Sequence, residues 1–277
     1  MDYLSADKIG GRGIHSQGIN VSSNFIKEEF IKAGLQPVSE GKKEKGYDQY
    51  FFVPRLGKNK KTKCNNLIGV LDRKKDSTII ICAHYDHLDT CSNLSMDVFK
   101  ADKCSIHNGA DDNASGVALV FALVDNLVKD SSSLKYNFLF VLFSGHEVGL
   151  YGSKKFFSSK IFKQLKVKEV LNFDMVGRLN ISSHLLTIGG CQAKPELKKM
   201  LTSYESSQND LKFLFDDSQL LMSDATIFYK NNIPTYSFTT GITDDYHRST
   251  DDADKINYIG MKFIYDFILV FLKHTGN

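Results

Sequence analysis

Histidine and carboxylate side chains recur in five short motifs along this chain of 277 residues. Imidazole nitrogens and carboxylate oxygens are both zinc ligands, and two imidazoles with three carboxylates suit a pair of zinc ions that share one carboxylate. Such a pair polarises a carbonyl and acidifies a water molecule, so the pattern points to hydrolysis. The motifs are AHYDHL (residues 83–88), NGADDNASG (108–116), SGHEVGLYGS (144–153), NFDMVG (172–177) and DYHRSTDD (245–252).

The first motif places His84 and Asp86 in a His-x-Asp pattern at the end of an apolar run. A neutral imidazole is a good zinc ligand, and a carboxylate two residues later can accept the other ring N–H and fix the tautomer. A capped strand end followed by a solvated acid is the simpler interpretation, and His-x-Asp alone does not exclude it. The pair is therefore a candidate ligand with a candidate orienting group.

The second motif contains two adjacent acids, Asp111 and Asp112, at the start of an expected helix. A carboxylate at this position could bridge two cations. Aspartate is also a common helix N-cap, and capping alone would explain either residue. The residues themselves therefore leave open which of the two acids is a ligand.

Glu147, Asp174 and His247 are candidate ligands in the other three motifs. Glu147 lies in a glycine-rich turn after an apolar strand, where the backbone can approach a site closely. Asp174 ends another apolar strand, and burying a carboxylate there is costly without a cation or hydrogen-bond donors. His247 has Asp251 nearby to orient its ring, and Tyr246 could donate a hydrogen bond to a developing oxyanion. A structural aspartate and an exposed loop histidine are the simpler alternatives.

The elements that must carry these side chains alternate between strands and helices, which predicts an α/β fold with a largely parallel central sheet. Ligands in open α/β sheets bind outside the carboxyl ends of strands, so His84, Glu147 and Asp174 are expected to meet at one edge. Because all five motifs would have to converge, residues 1–277 are interpreted as a single catalytic domain. Strands are predicted over residues 49–54, 65–71, 77–83, 136–143, 167–173, 185–189 and 235–239, and helices over 21–33, 113–127, 150–158, 194–206, 224–231 and 256–273.

Composition and charge limit the function classes. A net charge of +3, with 24% of residues charged, is too small to indicate a nucleic-acid partner. The last apolar segment carries Asn257, Lys262 and Asp266 at helical spacing, which predicts a packed amphipathic helix rather than a membrane span. Cys91 and Cys104 flank a polar loop and could close a disulfide in an oxidising compartment. No CxxC pair is present, which argues against a structural thiolate zinc site.

Together, the order and spacing of the motifs resemble a bacterial member of the dizinc aminopeptidase family. These are the zinc exopeptidases related to glutamate carboxypeptidase, glutaminyl cyclase and the transferrin-receptor ectodomain. The motif resemblance covers residues 83–252, and GGRGIHS (10–16) and YDQYFF (47–52) resemble the family's N-terminal region. The resemblance implies a three-layer αβα sandwich with a mixed sheet, a peptide substrate and two zinc ions per chain.

The resemblance also assigns the metal ligands by position. His84 and Asp174 would hold one zinc ion, and Glu147 and His247 would hold the other. The acid directly before the Asn-x-Ser-Gly stretch is Asp112, which would bridge the two ions.

Other positions match groups that assist the reaction, with two departures. Asp86 matches the acid that orients the first histidine, and Tyr246 matches a residue that stabilises the tetrahedral intermediate in some members. Where the family has Glu-Glu, with the first glutamate as the base, this chain has His146 followed by Glu147. The family's Ser-Asp-His upstream of the last strand is Ser-Asp-Ala at residues 223–225. His146 is therefore predicted to be the proton shuttle, because imidazole accepts and returns a proton near neutral pH.

The predicted function is removal of N-terminal residues from peptides, and three alternatives remain. A glutaminyl cyclase would use a single zinc ion, but that activity in the family uses indole side chains and this chain has no tryptophan. A non-catalytic binding protein on the same scaffold is favoured by His146, although all five ligands are retained. A carboxypeptidase acting on folate-like or acidic peptides is the third alternative. Arg178 and Arg248 lie near the predicted site and could bind substrate carboxylates, although ordinary salt bridges explain them equally well.

The compartment depends on whether a leader was removed. No apolar signal segment is found over residues 1–13, so the chain as written is expected to be cytoplasmic. If a signal peptide was removed, the family resemblance favours a periplasmic or secreted protein.

Overall fold

A computed structural model describes residues 1–38, 46–55, 60–97, 104–130, 135–191, 195–208 and 210–275. Within these residues the strands form one mixed sheet. The strands are β1 (Gln36–Pro37), β2 (Asp48–Pro54), β3 (Lys61–Leu71), β4 (Thr78–His84), β5 (Asn137–Phe143), β6 (Val167–Phe173), β7 (Leu185–Gly189), β8 (Lys212–Phe215) and β9 (Thr235–Thr239).

The sheet runs in the order β1-β3-β5-β4-β6-β9-β7-β8, with β2 also paired to β3. The four central strands, which are β5, β4, β6 and β9 in their order across the sheet, are parallel to one another. Antiparallel pairings join β3 to β5 and β7 to β9 on either side of them. Every residue of β4 is buried, as expected for a parallel strand covered on both faces. The predicted α/β class with a mixed sheet is confirmed.

Helices cover both faces of the sheet and create two apolar cores. Alternate residues of β4 show this, because Ile79 and Ile81 belong to one core while Ile80 and Cys82 belong to the other. The helices are α1 (Gln17–Lys32), α2 (Gly116–Lys129), α3 (Tyr151–Ser158), α4 (Lys160–Lys163), α5 (Pro195–Gln208), α6 (Asp217–Met222), α7 (Thr226–Tyr229) and α8 (Tyr258–Thr275). The first core also contains residues of α1, α2, α5 and α8, and the second contains residues of α3, α4 and α7. The three-layer αβα architecture is therefore confirmed.

Local sequence patterns located some elements better than others. The strands predicted over residues 167–173, 185–189 and 235–239 have those bounds in the structure. The helix predicted over residues 113–127 is wrong at its start: it begins at Gly116, after a turn in which Asp112 and Asn113 have non-helical backbone angles. The short elements β8 and α6 were not predicted, and the first residue of the helix expected over 194–206 lies outside the described residues.

Two further expectations concern the periphery of the fold. In the described part of the chain, no helix combines the length and apolarity needed to cross a membrane. The last helix, α8, instead packs its apolar residues into the first core, as its spacing of polar residues predicted. Cys91 and Cys104 form a disulfide, which confirms the expected pair.

Candidate metal centre

Three candidate ligands meet where β4 and β6 end and α2 is about to begin. His84 is the last residue of β4, Asp174 directly follows β6, and Asp112 lies in the irregular turn before α2. The Nε2 atom of His84 lies 3.4 Å from Oδ1 of Asp112 and 3.3 Å from Oδ1 of Asp174. The carboxyl ends of adjacent parallel strands thus bring together residues that are far apart in the sequence, as expected.

The other two candidate ligands approach the same aspartate from its other oxygen. Nε2 of His247 lies 3.4 Å from Oδ2 of Asp112 and 3.1 Å from Oε2 of Glu147. Glu147 comes from the turn after β5, and His247 comes from the loop between β9 and α8. All five predicted ligands therefore surround one point, and the two oxygens of Asp112 face different imidazoles. This donor set fits two divalent cations that share a carboxylate.

The choice between the two adjacent acids is resolved by the direction of their side chains. Oδ1 of Asp111 accepts hydrogen bonds from the backbone N–H of Gly177, at 2.8 Å, and from the hydroxyl of Ser115, at 3.3 Å. Asp111 is therefore a structural residue that ties the turn to the segment after β6. Burial, with the nearby charge of Asp251, raises the pKa of Asp111 well above its ordinary value.

Asp251 performs a different task from the one predicted. Its carboxylate accepts the backbone N–H groups of Asp111 and Asp112, each at 3.0 Å, and so fixes the turn that carries the bridging residue. The expectation that Asp251 orients the ring of His247 is wrong. The Nδ1 atom of His247 instead lies 3.3 Å from the backbone carbonyl of Leu94.

Asp86 is completely buried beside the site, but its contacts differ from the prediction. The Nδ1 atom of His84 lies 3.0 Å from the backbone carbonyl of Asp86 and 3.9 Å from its carboxylate. The carboxylate instead accepts the backbone N–H groups of His146 and Glu147, at 3.2 and 3.3 Å. The prediction that the Asp86 carboxylate orients the histidine ring is therefore wrong, because the main chain of the same residue occupies that position.

The two segments that contain the departures from the family pattern meet in space. Nδ1 of His146 lies 2.9 Å from Oδ2 of Asp224, the acid of the Ser-Asp-Ala segment, which is 1% exposed. The imidazole stacks on that of His84, with ring centroids 3.7 Å apart. Burial disfavours a charged imidazole, but the Asp224 carboxylate outweighs it and raises the pKa of His146 well above its ordinary value. Asp224 was not predicted as a functional residue, and its signal in the sequence was that both departures occur in the same chain.

His146 also belongs to a possible ligand group. One ring nitrogen of His146, one ring nitrogen of His84 and one carboxylate oxygen of Asp174 all lie within 4.8 Å of one another. A histidine whose second nitrogen is held by a carboxylate is a common arrangement both for zinc ligands and for proton-transfer groups. The geometry therefore suits His146 either as a zinc ligand or as a proton-transfer group.

Two buried residues near the site escaped the sequence analysis. Nδ1 of His87 lies 3.1 Å from Oε1 of Glu147 and 3.5 Å from Oδ2 of Asp112, so its ring can orient both carboxylates. The Arg12 guanidinium is fully buried and donates to five backbone carbonyls, including those of Gly109 and Asp112. Burial lowers the pKa of Arg12 to about 10, so the group is a cation beneath the carboxylates at neutral pH. His87 lies inside the first motif, and Arg12 lies inside GGRGIHS.

Charge within the site is balanced by the histidines. Burial disfavours the charged form of each ring, but the surrounding carboxylates raise the pKa of His84 to about 9 and that of His247 to about 10. Burial by itself would raise the pKa of the Glu147 carboxyl. Hydrogen bonds from His247 and His87 outweigh it and hold that pKa well below its ordinary value. A metal ion entering the site therefore has to displace protons from both imidazoles.

A cleft of about 60 Å³ opens onto the site. Tyr246 lies in its wall and stacks on the ring of His247 with centroids 3.9 Å apart. Burial and the charge of Asp112 raise the pKa of the Tyr246 hydroxyl, which therefore stays a proton donor. Arg178, by contrast, pairs with Asp245 at 2.8 Å, the ordinary salt bridge that was one of its two expected uses. The cleft is lined by Asp112, His146, Asp174, Met175, Gln219, Met222, Ser237, Thr239, Ile242 and Tyr246.

Comparison with known proteins places this geometry in a family. The model of peptidase family M28 matches residues 66–272. A probable leucine aminopeptidase of Arthroderma otae is 29% identical over 119 residues, which are 42% of this chain and 30% of that relative. The chain thus spans less than a third of the length of that relative.

Solved structures share the fold at low sequence identity. The Legionella pneumophila LapA aminopeptidase superposes with a TM-score of 0.74 at 18% identity, covering 99% of this chain and 68% of that one. The Fimbriiglobus ruber glutaminyl cyclase superposes with a TM-score of 0.79 at 18% identity, covering 100% of this chain and 92% of that one. The same scaffold therefore occurs in proteins with two different named activities.

Proposed function

Because the chain belongs to peptidase family M28, we propose that it is an aminopeptidase that removes N-terminal residues from peptides with two zinc ions. The observation that carries the proposal is the position of Asp112, whose two oxygens face His84 and His247 separately. Two histidines on opposite oxygens of one carboxylate suit a pair of ions that share it. The leucine aminopeptidase relative supports the choice of reaction.

The ligands divide into two sets around the shared carboxylate. His84 and Asp174 would hold one zinc ion, Glu147 and His247 would hold the other, and Asp112 would serve both. When bound, the ions supply Lewis-acid polarisation of the scissile carbonyl and a lowered pKa for the attacking water.

The remaining groups move and stabilise charge. Asp224 raises the pKa of His146 in the absence of metal, but two bound dications would disfavour the imidazolium and lower that pKa. The neutral ring would then take the proton from the attacking water and return it to the leaving amine, and Asp224 would stabilise the imidazolium that forms between these steps. Asp86 holds the backbone of His146 and Glu147 and so fixes where both side chains start. The Tyr246 hydroxyl, which lines the cleft, would donate to the developing oxyanion.

The substrate's first side chain would lie in the cleft beside these groups. Met222 and Ile242 line it and are 65% and 57% exposed, so an apolar side chain would cover them. We therefore propose leucyl and other neutral N-terminal residues as the first substrates.

Zinc counting together with a pair of anilides tests the proposal. Elemental analysis of reconstituted protein should give two zinc ions per chain, and leucyl-p-nitroanilide should be hydrolysed while N-acetyl-leucyl-p-nitroanilide is not. Equal hydrolysis of both anilides would contradict the aminopeptidase activity. One zinc at saturation, with cyclisation and ammonia release from a glutaminyl peptide, would indicate the cyclase instead.

Because this chain has His146 where the family has its catalytic glutamate, one further alternative is tested. If the native protein binds two zinc ions but hydrolyses nothing, and His146→Glu creates activity, the chain is a catalytically impaired binding protein on this scaffold. Activity of the native protein above that of His146→Ala contradicts that alternative.

We also propose that the protein works in an oxidising compartment, as a periplasmic or secreted protein. The Cys91–Cys104 disulfide supports this location, because such bonds are rare in reducing cytosol. Fractionation of cells that express the full natural gene, with antibody detection, tests it.

A further inference from the structure

Residues 94–97 lie directly against the loop that carries His247, and we call them the clamp segment. The backbone carbonyl of Leu94 lies 3.3 Å from Nδ1 of His247, and the backbone N–H of Met96 donates to the carbonyl of His247 at 2.9 Å. The Asp97 carboxylate accepts the backbone N–H of Ser249 at 2.8 Å. The clamp segment therefore contacts the ring, the carbonyl and the following peptide of one candidate ligand.

His247 needs this support for two reasons. Its backbone has φ of +55°, in the left-handed region that a residue with a side chain rarely adopts, so surrounding contacts must hold it there. Its ring must also present Nε2 to a metal, and a carbonyl at Nδ1 selects the tautomer that leaves Nε2 free to bind. The Leu94 carbonyl occupies that position, where the sequence had suggested Asp251.

The clamp segment is fixed in turn by a disulfide and a buried histidine. Cys91 and Cys104, thirteen positions apart in the sequence, are bonded to each other on either side of it. Nε2 of His107, which is fully buried, lies 2.7 Å from the hydroxyl of Ser95. Cross-linking the ends of a loop reduces the conformations available to it, so the bond favours the clamped arrangement.

We propose that the Cys91–Cys104 disulfide is a positioning element for the zinc ion that His247 holds, acting through the clamp segment. This inference rests on the two-zinc site of the proposed function. Loss of an outer contact to a metal-binding histidine typically weakens metal affinity about 10- to 100-fold. Breaking the disulfide is therefore expected to weaken one zinc site by about that factor. The site of His84 and Asp174, which the clamp segment does not contact through these bonds, should change by less than about threefold, well below the loss expected when an outer contact is removed.

Zinc affinity measured by chelator competition tests the positioning role. The variants are the Cys91→Ser, Cys104→Ser double variant, Asp97→Ala and the conservative Asp97→Asn, whose amide oxygen can still accept from Ser249. The double variant and Asp97→Ala should each weaken one site about 10- to 100-fold, and Asp97→Asn should largely restore it. In a His247→Ala background the double cysteine change should have no effect on the remaining site.

A phosphine reductant provides the matched control for the cysteine change. It converts the disulfide to two thiols and is itself oxidised to the phosphine oxide with an oxygen from water. Wild-type protein treated in this way should match the double variant, and the double variant itself should not respond. Equal weakening of both zinc sites would overturn the proposal, because it would indicate a general loss of structure.

Hydrogen exchange in metal-free protein separates this inference from the two-zinc proposal. A peptide covering residues 245–251 should exchange at least about tenfold faster in the double variant, because open states of a loop set its exchange rate. A peptide from β4 should keep its rate. If wild-type protein binds one zinc but exchange behaves as expected, the two-zinc proposal fails while the clamp stands. If the double variant and wild type have the same exchange rate over residues 245–251 and the same zinc affinities, the positioning role of the disulfide is overturned.

Discussion

Replacing Asp224 by asparagine tests the pairing of this acid with His146, the residue that stands where the family has its catalytic glutamate. The substitution keeps the size and burial of the side chain but removes the negative charge 2.9 Å from Nδ1 of His146. If His146 carries the proton during the reaction, its imidazolium then forms without a counter-charge. The expected effect is a lower kcat at unchanged zinc content.

The magnitude follows from the nature of the lost bond. Asp224 is 1% exposed and the side chain of His146 is 15% exposed, so water has little access to the bond between them. A hydrogen bond to a charged group contributes about 1.5–3 kcal/mol, and about 1.4 kcal/mol corresponds to a factor of ten. We therefore expect kcat to fall about 10- to 150-fold. Removal of the shuttle itself, in His146→Ala, should cost about 10²–10⁴-fold.

A double-mutant cycle at matched zinc occupancy provides the assay. Wild type, Asp224→Asn, His146→Ala and the double variant are compared by kcat on leucyl-p-nitroanilide. Because Asp224 acts only through the imidazole, adding Asp224→Asn to His146→Ala should change kcat less than about threefold, and the two effects should not add. Asp266→Asn, a change at an exposed carboxylate of α8 that pairs with Lys262, is the control for charge removal.

Two outcomes would refute this reasoning. If both single changes reduce kcat and their effects add fully in the double variant, Asp224 acts independently of His146. If His146→Ala instead loses one zinc ion at saturating metal, His146 is a ligand alongside His84 and Asp174, and the base must be sought elsewhere.

Three further predictions follow from the surroundings of the site. Asp112→Asn should weaken both zinc sites, whereas Asp111→Asn should keep two zinc ions, because the Asp111 carboxyl faces Gly177 and has a raised pKa. Elemental analysis and chelator competition measure the two variants, and equal zinc binding by both would contradict the prediction. Arg12→Met should lower the free energy of unfolding by at least about 3 kcal/mol in urea denaturation, because it leaves several buried carbonyls without a hydrogen-bond donor. A loss below about 1 kcal/mol would show that these carbonyls find other donors. Zinc binding at pH 7 should release protons from His84 and His247, whose pKa values are raised to about 9 and about 10, so affinity should rise with pH until both are passed. Calorimetry in buffers of different ionisation enthalpy measures the release, and a pH-independent affinity between pH 6 and about 9 would contradict it.

Local sequence was sufficient for much of the fold. Buried parallel strands such as β4 and β5 are apolar runs bounded by polar residues, and these runs predicted the bounds of both strands to within one residue. The positions of His84, Glu147 and Asp174 after such strands were enough to predict that they meet, because strand ends in a parallel sheet share an edge. The approximate content of the site could thus be predicted from residues alone, and the resemblance supplied the bridging role of Asp112.

Tertiary structure decided what each side chain faces. Asp111 and Asp112 are equivalent in the sequence, and only the irregular turn, held by Asp251 from 139 and 140 residues away, directs one inward and the other to the site. The pairing of His146 with Asp224 spans 78 residues, and that of His247 with the Leu94 carbonyl spans 153. Hydrophobic periodicity is a local signal, because it reflects which face of one element is buried. A hydrogen bond to a distant backbone carbonyl depends on how several elements pack together, and it leaves no pattern in the residues on either side.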